Sequence, residues 1–228
     1  MRRTVLSLTA LTLTVLAIVP PAAGGVTPWL EIGGRYGTYA MDDVNDDIAA
    51  IDALIWPTRF DEISGGLGFG TGAGLRVSPN LDIGIRYERF MAKSEASDFS
   101  GSITYDFGAN GLFGFMEYRF PSSSKISGGI GAGGGLVVSS GEVGLTVTGV
   151  GSVSGDTEGS GPLLQGYGFI DLPLSPRVSI IPSAGYRYAK VSSLEIDGLP
   201  VYNADGSDYS VDYSGVFLSA SIRFLLGG

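Results

Sequence analysis

Histidine and cysteine are both absent from the 228 residues, and charged side chains make up only 16% of them. Each shortage removes a class of function. Without histidine the usual general base of hydrolases and acyltransferases is missing, together with the nitrogen ligands of ordinary zinc and haem sites. Without cysteine there is no thiol nucleophile, no disulfide and no lipoprotein processing. The expectation is a non-enzymatic protein with no cofactor. Long apolar runs are also scarce. Beyond the amino terminus nothing approaches the roughly 18 residues that a transmembrane helix needs.

The one apolar run, Val5 to Val19, follows Arg2 and Arg3 and precedes the small residues Ala22-Ala23-Gly24. That is the pattern of a secretory signal peptide, with cleavage expected after Gly24. Residues 25–228 are then expected to form one domain. Losing Arg2 and Arg3 takes the formal charge from −9 to −11. So acidic a chain repels nucleic acid and favours cationic partners.

What the chain has in quantity is glycine, 37 residues, alongside 44% hydrophobic residues. The stretch Ile63 to Met91 shows how they are arranged. Ile63, Gly65, Leu67, Phe69, Thr71, Ala73, Leu75 and Val77 alternate with Ser64, Gly66, Gly68, Gly70, Gly72, Gly74 and Arg76. After Ser78-Pro79-Asn80, the series Leu81, Ile83, Ile85, Tyr87 alternates with Asp82, Gly84, Arg86, Glu88. A period of two means strands, and the Ser-Pro-Asn break makes them a hairpin. One face is nearly continuous in apolar residues over the 9–11 or so positions that cross a bilayer, and the other holds only glycine, serine and charge. That pattern predicts a lipid-facing exterior and a crowded polar lumen. A soluble lipocalin-like barrel would turn the glycine-and-charge face to solvent, a poor surface.

The same alternation recurs along the chain and predicts eight strands. The first, Trp29 to Met41, carries Leu30, Ile32, Gly34 and Tyr36 outward; Asp42 to Asp61 then contains Val44, Ile48, Ile51 and Leu54-Ile55 at helical spacing behind aspartates, a short helix. The fourth, Ser102 to Phe120, is apolar at Ile103, Tyr105 and Phe107 and then at Leu112, Met116, Tyr118 and Phe120, a parity change that predicts a bulge in Gly108 to Gly111. The fifth is Ile126 to Val138, with Val143, Leu145 and Val147 continuing its alternation as a hairpin above the membrane. The sixth, Pro162 to Leu172, is apolar on both faces and has no readable phase. The seventh, Arg177 to Val191, contains Pro182, expected at a local bulge. The eighth closes on Val216, Leu218, Ala220, Ile222 and Phe224. Connections alternate long and short. Each short one contains proline, and the long ones, Asp42–Asp61, Ala92–Gly101, Ser139–Gly161 and Ser192–Asp208, with their flanks, hold 17 of the 23 acids. Trp29, Phe120 and Phe224 at the short-turn end, and Tyr39, Tyr87, Tyr105, Tyr186 and Tyr188 at the loop end, are expected to form aromatic girdles.

On these features the chain from Trp29 to Phe224 resembles the eight-stranded outer-membrane barrels, a group that includes opacity proteins, the OmpA transmembrane domain and OmpW. The resemblance implies an all-β, antiparallel, up-and-down transmembrane barrel in the outer membrane, in contact with its lipid and lipopolysaccharide. It also implies that Val216, Leu218, Ala220, Ile222 and Phe224 form the ending read by the barrel-assembly machinery, although Leu225 to Gly228 extend past the usual aromatic end. Relatives that act as deacylases, acyltransferases or proteases use a histidine, which this chain does not have.

By parity, Glu31, Arg35, Arg76, Asp82, Arg86, Glu88, Glu117, Arg119, Arg187 and Arg223 face the lumen. Glu31, Asp82, Glu117, Arg76, Arg119 and Arg223 are expected in a balanced lower layer, with Arg35, Arg86 and Glu88 above it. Eight strands leave an interior that side chains can fill, so these ions predict a plug, with inward glycines of the second and fifth strands giving room. Two motifs fail. Gly129-Ile130-Gly131-Ala132-Gly133-Gly134 matches GxGxxG but continues as strand. Asp43, Asn45 and Asp47 begin an EF-hand spacing that Ile48 and Leu54 break. Asp42, Asp43, Asp46 and Asp47, with Asp205 and Asp208 across the mouth, remain a candidate site for divalent cations shared with lipopolysaccharide phosphates. The leading reading is a structural or interaction scaffold with four acidic surface loops. The alternatives are an OmpW-like small-solute channel and a ligand carrier.

Overall fold

Strands that alternate in this way must pair through every backbone group to survive in lipid, and only a closed sheet leaves no edge. The computed structural model describes residues 25–54, 61–98, 101–123, 125–147, 151–203 and 205–226. The expected signal segment and Ile55 lie outside the described residues, as do Gly227, Gly228 and the side chains of Ile51, Leu54, Leu145 and Val147.

Eight long strands form an antiparallel ring: β1 (Thr27–Thr38), β2 (Gly65–Ser78), β3 (Leu81–Asp98), β4 (Gly101–Arg119), β5 (Ser127–Val147), β6 (Gly151–Ser175), β7 (Val178–Ile196) and β10 (Gly215–Leu225). Each pairs with the next in sequence, and β10 closes the ring between β7 and β1. Two short strands, β8 (Leu199–Pro200) and β9 (Ser210–Asp212), pair with the upper part of β7. One helix, α1 (Asp42–Leu54), lies between β1 and β2, with Asp42 and Asp43 in its first turn, where the helix dipole favours acids.

The outward face is apolar: Ile32, Leu67, Met116, Leu136, Leu164 and Leu218 are each more than half exposed. The inward face is charged below and apolar above. Tyr105, Phe107, Ala109, Phe113 and Phe115 of β4 are all buried in the lumen, while Leu112, Met116 and Tyr118 point out. The β3–β4 and β4–β5 registers run unbroken through Gly108 to Gly111, so the expected bulge is absent. The parity change has a different cause. Above the charged layers the interior itself becomes apolar, so apolar residues move to the inward set. Pro182 likewise produces no register shift against Ala220; the β6–β7 ladder lacks its pair there, as a missing N–H requires.

Two of the expected long loops are mostly strand. Ala92–Gly101 and Ser139–Gly161 form hairpin extensions, the second as Val143 and its neighbours suggest, because alternation continues past the lipid belt. Sheet phase settles β6: Leu163, Gln165, Tyr167, Phe169 and Asp171 face in, and Leu164 and Ile170 face out. Three girdle assignments are overturned. Trp29, Tyr39 and Tyr105 are buried inside, whereas Tyr186, Tyr188, Phe120 and Phe224 stay outward. Ile63, just before β2, is also buried, beneath α1.

Candidate functional site: the lumen

All ten lumen charges expected from parity face inward. The lower layer centres on Asp82, which has no solvent exposure and accepts from Arg76 Nε (3.0 Å), Arg119 NH2 (2.7 Å) and Arg223 NH1 (2.9 Å). Arg223 also donates through Nε to Glu31 (2.8 Å) and pairs with Glu117 (2.8 Å). Arg86 bridges Glu31 (3.0 Å) and Glu117 (3.4 Å). It therefore belongs to the lower layer, not the upper one, because its long side chain reaches down the barrel. Four aromatic rings complete the packing: Arg223 lies over Trp29 (4.2 Å) and Arg86 over Phe115 (4.4 Å), while Arg35 covers Phe217 and Arg187 covers Phe90 (both 4.1 Å).

Three members escaped the sequence reading, all on β6. Asp171 pairs with Arg119, Tyr167 donates to Glu117 (2.9 Å) and receives from Arg86 (3.3 Å), and Gln165 accepts from Arg35 (3.2 Å). Their shared odd parity was the available signal, hidden by apolar residues on both faces. With Asp171, the lower layer holds Glu31, Asp82, Glu117 and Asp171 against Arg76, Arg86, Arg119 and Arg223, and is charge-balanced.

Higher up, Arg35 pairs with Glu88. Arg187, fully buried, has no carboxylate within ion-pair distance among the described residues. It donates through Nε and NH2 to the Tyr213 carbonyl (3.0 and 2.8 Å), fixing the segment between β9 and β10 across the mouth. Between the layers, a cavity of about 20 Å³ is lined by Glu31, Arg35, Arg86, Glu88, Ser219 and Ser221. That is room for about one water.

The lumen is also filled from above. Tyr39, Phe90, Phe107, Val137, Leu163 and Tyr213 form an apolar core, and Val44 and Ile48 of α1 are buried against it. The chain turns from β1 into the helix at Met41, which is buried with φ 49°, a left-handed conformation costing roughly 1–2 kcal/mol. Its N–H is held by the Asp212 carbonyl (3.2 Å). Asp43 latches the helix, accepting from the Ser210 N–H (2.8 Å) and hydroxyl (2.7 Å). Burial raises the Asp43 pKa, but these hydrogen bonds outweigh it and hold it below the ordinary aspartate value. Asn45 exchanges hydrogen bonds with the backbone of Ile63 (2.8 and 3.3 Å). Among the described residues no group of three acidic side chains, at the mouth or elsewhere, is placed to hold a metal ion.

The carboxy-terminal set is outward as expected: Val216, Leu218, Ile222 and Phe224 are exposed on β10, with Ala220 in phase between them. Above the lipid belt, Asp106, Glu142 and Asp156 are directly opposed on neighbouring strands and exposed, with Lys93 of β3 opposite Asp106 on its other side.

A closed eight-stranded antiparallel barrel with an apolar outer belt and a charged interior is the architecture of the bacterial outer-membrane barrels, and this fold belongs to that class. No protein-family model matches the sequence, and no curated protein matches it. Solved structures do. Neisserial surface protein A shares 14% identity, with 88% of this chain and 98% of that one covered and a TM-score of 0.52. The outer membrane protein OprG of Pseudomonas aeruginosa (11%, 90% and 99% covered, TM-score 0.46) and Ail, the attachment invasion locus protein of Yersinia pestis (14%, 87% and 99% covered, TM-score 0.45), are also similar.

Proposed function

We propose that this protein is a non-conducting scaffold of the outer membrane: a barrel anchored in lipid by its apolar belt, presenting an acidic hairpin surface to the outside. The observation that carries this is the lumen. A balanced ion network closes the lower half, and an apolar core under α1 closes the upper half. Unpaired charge in a narrow interior is costly; pairing offsets that cost, and the paired side chains fill the water path. Residues 1–24 act as the export signal and are removed, and the β10 ending serves the assembly machinery. The exposed Asp106–Glu142–Asp156 row suits cationic partners.

The test is planar-bilayer recording of the refolded protein, residues 25–228. The scaffold gives no stable unitary current. Large, long-lived openings in the wild type would favour the channel alternative, because they require the network to part.

A further inference from the structure

Arg89 is out of place. By strand parity it points outward on β3, next to Tyr87, and its Cα partners are Phe69 on β2 and Asn110 on β4. Phe69, Leu67 and Met91 around it are each 44–65% exposed, so the arginine stands among lipid-facing residues. An arginine there is costly unless its head reaches polar surroundings. Among the described residues Arg89 makes no hydrogen bond and no ion pair, whereas Lys93, four residues higher on the same face, pairs with Glu95 at 2.9 Å.

The guanidinium nevertheless has a seat. It lies over Gly108 of β4, where a β-carbon would stand 2.6 Å from Cζ. Gly108 is opposite Met91, two positions beyond Asn110 in the direction of the loops, so the side chain rises along the barrel wall toward the outer headgroups. Beside it, Asn110 Oδ1 is engaged by the Tyr87 hydroxyl (2.6 Å), which leaves the Asn110 amide N–H groups as donors. Two directly paired residues at the upper margin of the lipid belt thus carry donor groups that have no acceptor among the described residues. Planar guanidinium donors beside an amide fit a phosphate.

We propose that Arg89 and Asn110 bind the phosphate of an outer-leaflet lipid, with Gly108 as the glycine that lets the guanidinium lie flat. The site rests on the membrane placement of the barrel and not on its being plugged. A lumen that conducts would leave it intact.

The mature protein refolded in detergent is offered phosphorylated lipid A or its dephosphorylated counterpart, and retained lipid is counted by native mass spectrometry. The wild type retains the phosphorylated form roughly tenfold better, the scale of one charge-assisted contact. Arg89→Gln removes the preference, Arg89→Lys keeps part of it, and Lys93→Gln leaves it unchanged. Equal retention of the two lipids by the wild type overturns the proposal, whether or not any variant folds. So does a preference that survives Arg89→Gln. A lipid-independent dimer that Arg89→Gln dissociates also overturns it, since the arginine would then serve a carboxylate of a second copy.

Discussion

Asp82→Asn is the sharpest probe of the lumen. The amide keeps the shape of the side chain and removes one charge from the balanced lower layer. Three guanidiniums contact Asp82 within 3.0 Å, but they are not equally dependent on it. The side chain of Arg76 is 23% exposed and can turn to water. Arg119 retains Asp171, and Arg223 retains Glu31 and Glu117. The loss is therefore that of one buried partner and not of three independent bridges. Breaking a buried pair typically costs about 3–5 kcal/mol, and the remaining partners place this change near the lower end, about 3 kcal/mol. Urea unfolding of the barrel in lipid vesicles, followed by tryptophan fluorescence and by heat-dependent gel mobility, measures it. Arg119→Gln added to Asp82→Asn restores neutrality but strands Asp171, so the double variant should cost less than the sum of the two single changes, a coupling that distant sites do not show. If Asp82→Asn unfolds within about 1 kcal/mol of the wild type and the double variant is simply additive, the ion network does not hold the barrel together and the reasoning fails.

Other expectations follow from the same geometry. Ile83→Arg or Leu218→Arg, both on the lipid face, should cost about 2–4 kcal/mol near the bilayer midplane, while Ile83→Leu changes little; insertion yield into vesicles reads the difference. Gly84→Ser, which parity alone marks as harmless, should instead be disruptive, because its β-carbon would lie 2.6 Å from the Ala73 carbonyl oxygen; the same insertion assay checks it. Asp43 has a lowered pKa, so its stabilisation of the helix latch is present above the ordinary aspartate value and is lost as pH falls through the lowered one. The Ser210 amide resonance in micelles should shift in acid, below about pH 4, and Asp43→Asn should abolish that step. Ile48→Asp should loosen α1 from the mouth and raise protease sensitivity at the helix while leaving the barrel's gel mobility unchanged.

Side-chain parity in a strand is a local property, and the sequence by itself determined what depends on parity alone: the strand-rich ring, the apolar belt, the outward ending of β10 and the inward direction of ten charges from Glu31 to Arg223. It did not determine partners. Arg86 joins the lower layer because a long side chain reaches across the stagger between strands, a distance no one-dimensional pattern contains. Asp171 and Tyr167 entered only when β6 was held between β5 and β7, since a strand apolar on both faces has no phase of its own. Above the membrane the same limit acts more strongly. Tyr105, Phe107 and Tyr39 are apolar at positions where parity alone cannot distinguish lipid outside from a core inside. What decides is α1, whose Val44 and Ile48 cover the mouth and turn the upper lumen into a buried core. Burial there depends on an element distant in sequence and close in space, and only the closed tertiary structure supplies it.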